Sequence, residues 1–284
     1  MSATMSPDQC RAYDGILAWS LDEGSDKDAT LAGYAGCGKT FTLAQIAQEW
    51  RRCGVAVSWV TPTGKAALVL RDTLARYGVD ADVSTIHREF LHPTTDKDGK
   101  LKWAQKEKAT VPDVVVVDEA SMLTREVLEL VKGRAAGAKF LFVGDHFQLA
   151  AVGDSARVME RPTWKLETIH RQEEGSPILR FASLVRTDSI GAALSYAASL
   201  GGTDHESDAP LMMVQKSMGP LASESAVRWA HRDDDGMIIV ALNKQRIHVN
   251  QLARRVLRAS GRDDVMPEAG DLMMVLKNST KHGV

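Results

Sequence analysis

The feature that most constrains this chain is the run Gly33-Tyr34-Ala35-Gly36-Cys37-Gly38-Lys39-Thr40. It fits G-x-x-x-x-G-K-[ST], a loop whose glycines let successive backbone N–H groups turn inward and form a nest for anions. Such a loop needs a strand before it and the positive N-terminal end of a helix after it. Both flanks are present. Residues 29–32 form a short apolar run, and Phe41, Leu43, Ala44, Ile46, Ala47 and Trp50 recur at helical spacing. A flexible glycine turn before a helix is the competing reading, and it does not account for the strand. Lys39 supplies a point charge for β and γ phosphates, and Thr40 offers a hydroxyl to Mg²⁺.

Bulk composition narrows the partners. The formal net charge of 284 residues is −2, so nucleic acid is not held by bulk charge, and phosphate contacts must come from local patches. Three cysteines, Cys10, Cys37 and Cys53, show no metal spacing and predict a reducing compartment. The start lacks a basic-then-apolar leader, and no apolar run is long enough to span a bilayer. The expectation is a cytoplasmic protein, or a phage protein acting in a host cytoplasm, with no membrane partner.

Along the chain, strand and helix patterns alternate, which predicts a parallel α/β sheet with its functional loops on one edge. Ser6-Pro7-Asp8-Gln9 opens a helix; on its residues alone, Gln9 reads as a solvated position. Residues 55–60 form an apolar strand that ends in Thr61-Pro62-Thr63-Gly64-Lys65, either a ligand-side turn or a plain helix cap. Residues 83–91 carry His87, which alone reads as structural, and the helix there is expected to end at Pro93. Residues 94–108 are rich in Lys and Asp around Lys97-Asp98-Gly99-Lys100, a hairpin tip standing off the sheet. Residues 114–117 are four valines, the pattern of a strand buried on both faces. They end in Asp118-Glu119, two carboxylates that need a cation nearby. Asp118 on Mg²⁺ and Glu119 on an attacking water would meet that need; acids at a helix start would be the plainer explanation. Another buried strand, 138–143, leads to Gly144-Asp145-His146-Phe147-Gln148-Leu149, where Gln148 could sense a γ-phosphate or be a loop amide.

These motifs, in this order, resemble superfamily 1 DNA helicases of the RecD and phage Dda type, the branch that moves 5′ to 3′. The resemblance implies tandem RecA-like parallel sheets flanked by helices: residues 1–162 as an ATP-binding lobe with a hairpin pin at about 91–112, and residues 163–284 as a partial second lobe. It implies ATP and Mg²⁺ as cofactors. Nucleotide contacts would come from Gln9, which falls where the family contacts adenine, and from Gly33, Ala35, Gly36, Cys37, Gly38, Lys39, Thr40 and Phe41. Thr40 and Asp118 would hold the metal. Lys39, Glu119, Gln148 and Arg171, the last within Ile169-His170-Arg171-Gln172, would carry catalysis. Thr61, Pro62, Thr63, Lys65, His87, Trp103 and Asn243 would face DNA, with single-stranded and tailed duplex DNA as partners. Trp103 reads equally as a wedge and as a hairpin-stabilising aromatic. Cys37 replaces the usual Thr or Ser, Ala150-Ala151 stands where the family has Pro-Pro, and the last two helicase motifs are not present. The resemblance thus leaves room for a second polypeptide that completes the machine, or for a helicase-derived ATP- and DNA-binding protein that does not unwind.

Overall fold

The computed structural model describes residues 5–95, 101–106, 111–148, 151, 153–168, 177–186, 190–200 and 243–257. The chain divides into two compact units, 1–193 and 194–284. Within the first, six parallel strands form one sheet: β1 (Asp28–Gly33), β2 (Val57–Thr61), β3 (Val83–Thr85), β6 (Val114–Val117), β7 (Lys139–Gly144) and β8 (Trp164–Leu166), in spatial order β3-β2-β6-β7-β1-β8. The strand at 164–166, which the sequence places in a second lobe, pairs with β1 instead (Leu31 opposite Trp164). It is too short to be separated from its neighbour by periodicity.

The sheet is buried on both faces, and the valines of β6 show how. Val114 and Val116 join a core with α1 (Pro7–Leu21), α2 (Lys39–Cys53) and α3 (Gly64–Arg76), which contribute Ile16, Leu43, Trp50 and Leu74. Val115 and Val117 point the other way, into a core with Ile86 and Phe90 of α4 (Ile86–Phe90) and Val131 of α5 (Arg125–Arg134). This is the period-2 alternation of a strand between two helical layers. Each fully buried large apolar side chain contributes about 1.5–3 kcal/mol. Lys139, buried at the start of β7, donates to Ser25 Oγ at 2.6 Å and to the carbonyls of Trp19 and Asp22, closing the C-terminal end of α1.

Residues 91–105 form an antiparallel hairpin, and the helix before it ends earlier than the sequence suggests. β4 (Leu91–Thr95) and β5 (Leu101–Gln105) pair antiparallel, with Pro93 opposite Trp103. Pro93 therefore lies inside a strand rather than ending a helix; a two-stranded ribbon has free edges, where the missing N–H costs little. α4 is only five residues long and stops at Phe90. The hairpin tip, 96–100, falls outside the described residues. Beyond the sheet lie α6 (Pro177–Arg186), α7 (Ile190–Ser199), which crosses the division between units, and, in the second unit, α8 (Asn243–Leu257). The sequence also predicts strands at 211–214, 237–242 and 270–277 and a helix at 222–231 from their apolar patterns, and these lie outside the described residues.

Candidate nucleotide site

Because all six strands are parallel, their carboxyl ends share one edge, and every candidate loop leaves from it. β1 delivers the phosphate loop, β2 the turn at Thr61, β6 the acids at 118–119, β7 residues 145–148. β7 lies between β1 and β6, so the loop with Gln148 emerges between the phosphate loop and the acids. Ligands of open parallel sheets bind at this edge.

The loop is built by glycine geometry. Gly36 and Gly38 hold φ of 86° and 82°, a left-handed backbone that other residues adopt only with strain. At Gly33 the requirement is space, since a Cβ there would stand 2.4 Å from Cys37 Sγ. Cys37 is fully buried, and burial pushes its thiol pKa up. Lys39, the first residue of α2, folds back over the loop, donating to the carbonyls of Gly33 (2.8 Å) and Tyr34 (3.0 Å). Phe41 packs edge-on against Tyr77, with ring centroids 5.3 Å apart.

Gln9 is not solvated. It is 2% exposed; its Nε2 donates to the Cys37 carbonyl at 3.1 Å, and its Oε1 accepts from Ser6 N at 2.9 Å. The helix pattern alone gave no sign of this, because the partner lies 28 residues away. Asp8 beside it is also buried. It accepts from the backbone N–H groups of Glu167 (2.7 Å) and Thr168 (3.0 Å), from Thr168 Oγ1 (3.2 Å) and from Ser6 Oγ. Burial alone would raise its pKa, but these bonds together hold it well below the ordinary carboxylate range. The first turn of α1 thus ties the phosphate loop to the chain leaving β8, a role the sequence did not signal for Asp8.

Asp118 is half-buried at the end of β6. Burial first, and the neighbouring Glu119 carboxylate second, push its pKa up to about 6, while Lys39 pulls it down. Glu119 holds φ 55°, ψ 38°, a left-handed backbone for a residue with a side chain. Such strain costs of order 1–3 kcal/mol and clusters at functional sites. Ser121 Oγ donates to Gln148 Oε1 at 3.1 Å, linking the acid turn to the β7 loop. Among the described residues no three His, Cys, Asp or Glu side chains gather as a metal cage. Thr40 and Asp118 offer two oxygen donors, which suits Mg²⁺, an ion usually held by one or two protein oxygens with phosphates and water completing its shell. A half-buried carboxylate disfavoured as a bare anion fits that role.

Of the positions expected to face DNA, Thr61 is fully buried, with its hydroxyl donating to the Thr63 carbonyl at 2.8 Å. Pro62 is half-buried, and Thr63 and Lys65 are exposed. Thr63 Oγ1 caps α3 by accepting from Ala66 N at 3.3 Å. His87 and Trp103 meet edge-on at 4.4 Å, so Trp103 packs the hairpin against α4, and burial lowers the His87 pKa. Arg171 lies outside the described residues, and Asn243 is described only as the first residue of α8.

A parallel sheet with a phosphate loop, a strand-end acid pair and a polar strand-end loop beside them defines a P-loop NTPase of RecA-like α/β fold, resembling the motor domains of helicases. The chain belongs to the AAA domain family, whose AAA_30 model matches residues 4–206. It is 32% identical over 184 residues to the ATP-dependent RecD2 DNA helicase of Deinococcus radiodurans, covering 63% of this chain and 23% of that protein. It is 27% identical over 157 residues to the ATP-dependent DNA helicase PIF3 of Trypanosoma brucei, covering 52% and 17%. The chain thus spans less than a quarter of either relative. The crystal structure of Pif1 helicase from Candida albicans shares the fold, with a TM-score of 0.50, 16% identity, and coverage of 87% of this chain and 61% of that one. Among the described residues no helix is long and apolar enough to cross a membrane.

Proposed function

We propose that this chain is an ATP-hydrolysing, single-strand-binding module of a DNA helicase of the RecD and Pif1 kind, and that strand separation needs polypeptide beyond it. The convergence of Lys39, Asp118 and the Gln148 loop on one sheet edge carries this reading. Lys39 and the backbone N–H groups of 35–40 would hold the phosphates, and Gln9 and Phe41 would lie on the adenine side. Thr40 and Asp118 would hold Mg²⁺, which supplies charge neutralisation to the transferring phosphoryl group. Glu119 would orient and deprotonate water, with Gln148 beside it. Arg171 would stabilise the phosphoryl transition state, a contribution of about 10³–10⁵ in rate for arginines so placed. In the first unit DNA would lie along Thr63, Lys65 and His87, held by its backbone and sensitive to salt, and in the second unit Asn243 would be a DNA contact in its own right. The lengths of the matched helicases favour the module reading.

A second reading is an autonomous 5′-to-3′ helicase, favoured by the order of motifs along the chain. ATP turnover with and without single-stranded DNA, and strand separation on 5′-tailed and 3′-tailed duplexes, tell the two apart. DNA-stimulated turnover without separation supports the module; separation of the 5′-tailed duplex alone supports the autonomous motor. Absence of ATP turnover under both conditions would remove both.

A further inference from the structure

The phosphate-loop pattern leaves its second position open, and this chain places Tyr34 there. The Tyr34 ring reaches the neighbouring β7 loop: its centroid lies 5.6 Å from that of His146 and 5.5 Å from that of Phe147, with interplanar angles of 33° and 32°. His146 and Phe147 meet each other at 4.4 Å. The guanidinium carbon of Arg186, the last residue of α6, stands 4.7 Å from the Tyr34 centroid, within cation–π range. One phenol thus gathers a group from α6 and two from the β7 loop. Phe147 is 50% exposed, so burial alone does not fix it; the stack does.

The same loop is anchored at its other end. Gln148 Oε1 accepts from Ser121 Oγ at 3.1 Å, and Ser121 lies two residues past Glu119. Residues 145–148 therefore stretch from the phosphate loop to the acid turn. The phosphate-loop end also has a built-in trigger. Lys39 Nζ donates to the carbonyl of Tyr34 itself, at 3.0 Å, as well as to Gly33. A phosphate that draws this ammonium away removes a donor from the Tyr34 peptide.

We propose that Tyr34 is a positioning residue that carries nucleotide occupancy of the phosphate loop to His146 and Phe147, and through them to Gln148. This rests on the ATP reading above. Recruitment of Lys39 to a phosphate shifts the Tyr34 peptide; the ring moves with its backbone, and the stacked side chains follow. Lys39 on the Tyr34 carbonyl is one of the two states that such coupling requires, and Lys39 on a phosphate would be the other.

The test uses the whole chain, with NMR of the His146 ring and of the loop amides at 36–40, without nucleotide and with Mg·ADP or a non-hydrolysable ATP analogue. Wild type and Tyr34→Phe should show both sets of signals shifting on binding. In Tyr34→Ala the amides should still shift, with affinity within about threefold of wild type, while the His146 ring stays still. In turnover, Tyr34→Ala should lose roughly five- to tenfold in kcat with little change in KM, a coupling of ordinary size. Tyr34→Leu replaces it should the alanine variant not fold. A His146 ring that responds equally without the phenol, or a raised KM at unchanged kcat, overturns the proposal. Wild-type amides that respond without His146 overturn this proposal alone; wild-type amides that ignore nucleotide overturn the ATP reading and this proposal with it.

Discussion

The phosphate loop leaves the parallel sheet directly and the hairpin follows α4 as a two-stranded sheet of its own, and they are held in opposite ways. The loop is fixed from inside: Cys37 is fully buried beneath it, Gln9 bonds the Cys37 carbonyl, and Gly33 admits the thiol at a distance no side chain would allow. The hairpin is fixed from one side: Trp103 leans on His87, Gln105 Nε2 donates to the Leu130 carbonyl of α5 at 3.0 Å, and Lys106 N donates to the Phe90 carbonyl at 2.9 Å. In the loop the required backbone dictates residue types. Among the described residues of the hairpin, a few attachment points are dictated: buried Leu91, Trp103, Gln105 and Lys106.

The largest effect separates chemistry from packing. Lys39→Ala should lower ATP turnover by about 10²–10³-fold or more, as removal of a positioned charge-stabilising group does, while the melting temperature stays near wild type. Turnover at the wild-type rate would detach the loop from the reaction. Next, Gly33→Ala puts a Cβ 2.4 Å from Cys37 Sγ and 3.0 Å from the Leu166 carbonyl. Overpacking of this kind costs about 1–3 kcal/mol, read by urea unfolding, and nucleotide affinity should fall with it. Adding Cys37→Ala should restore part of the loss, because it removes the sulfur contact and leaves the carbonyl one.

That contrast explains what could be read without coordinates. The phosphate loop, the valine strand, Asp118 and the hairpin were legible because each rests on local rules: glycine at fixed spacing, unbroken apolar runs, Asp-Gly at a turn. Asp8 and Lys139 were not, and Gln9 was marked only by the family resemblance. Each is a polar residue in an unremarkable local setting whose partner lies far along the chain, and only the fold brings them together. The strand at 164–166 was not legible for a related reason: three residues carry no period, and its neighbour in space is β1.

Asp8 tests the brace outside the loop. Asp8→Asn places an amide N–H₂ against backbone donors at Glu167 or Thr168, and losing buried, charge-assisted bonds should cost about 1–3 kcal/mol. The pH dependence has a definite sign. The folded pKa of Asp8 lies below its unfolded value near about 3.9. The carboxylate's contribution is therefore full at neutral pH and is lost as pH falls through the folded pKa. The stability gap between wild type and Asp8→Asn should stay constant from neutral pH down to about 5 and narrow below about 4. A gap that stays constant to the lowest pH at which the fold survives would show that the carboxylate charge is not what binds residues 167–168.

On the hairpin side, Trp103→Ala should cost about 1 kcal/mol or less, the range of an aromatic pair on a half-exposed surface. Uncovered, His87 should titrate closer to its ordinary value of about 6.5, an upward shift measurable by NMR. DNA-free ATP turnover should be unchanged.

The smallest effect is expected at Gly133, and it bears most directly on the comparison. A Cβ there would lie 2.5 Å from Gln105 Nε2, nearly as close as the Gly33 contact. The obstacle, however, is the far end of an exposed, flexible side chain rather than a buried loop. Gln105 can swing away, giving up its bond to the Leu130 carbonyl at a cost of about 0.5–1.5 kcal/mol. The helix gains up to about 0.8–1 kcal/mol from replacing glycine near the end of α5. The two nearly cancel, so Gly133→Ala should leave global stability within about 1 kcal/mol of wild type, while amide exchange across 101–106 speeds up. Equal destabilisation by Gly33→Ala and Gly133→Ala would mean that the hairpin is packed as tightly as the phosphate loop, and the distinction between inside and one-sided support would fail.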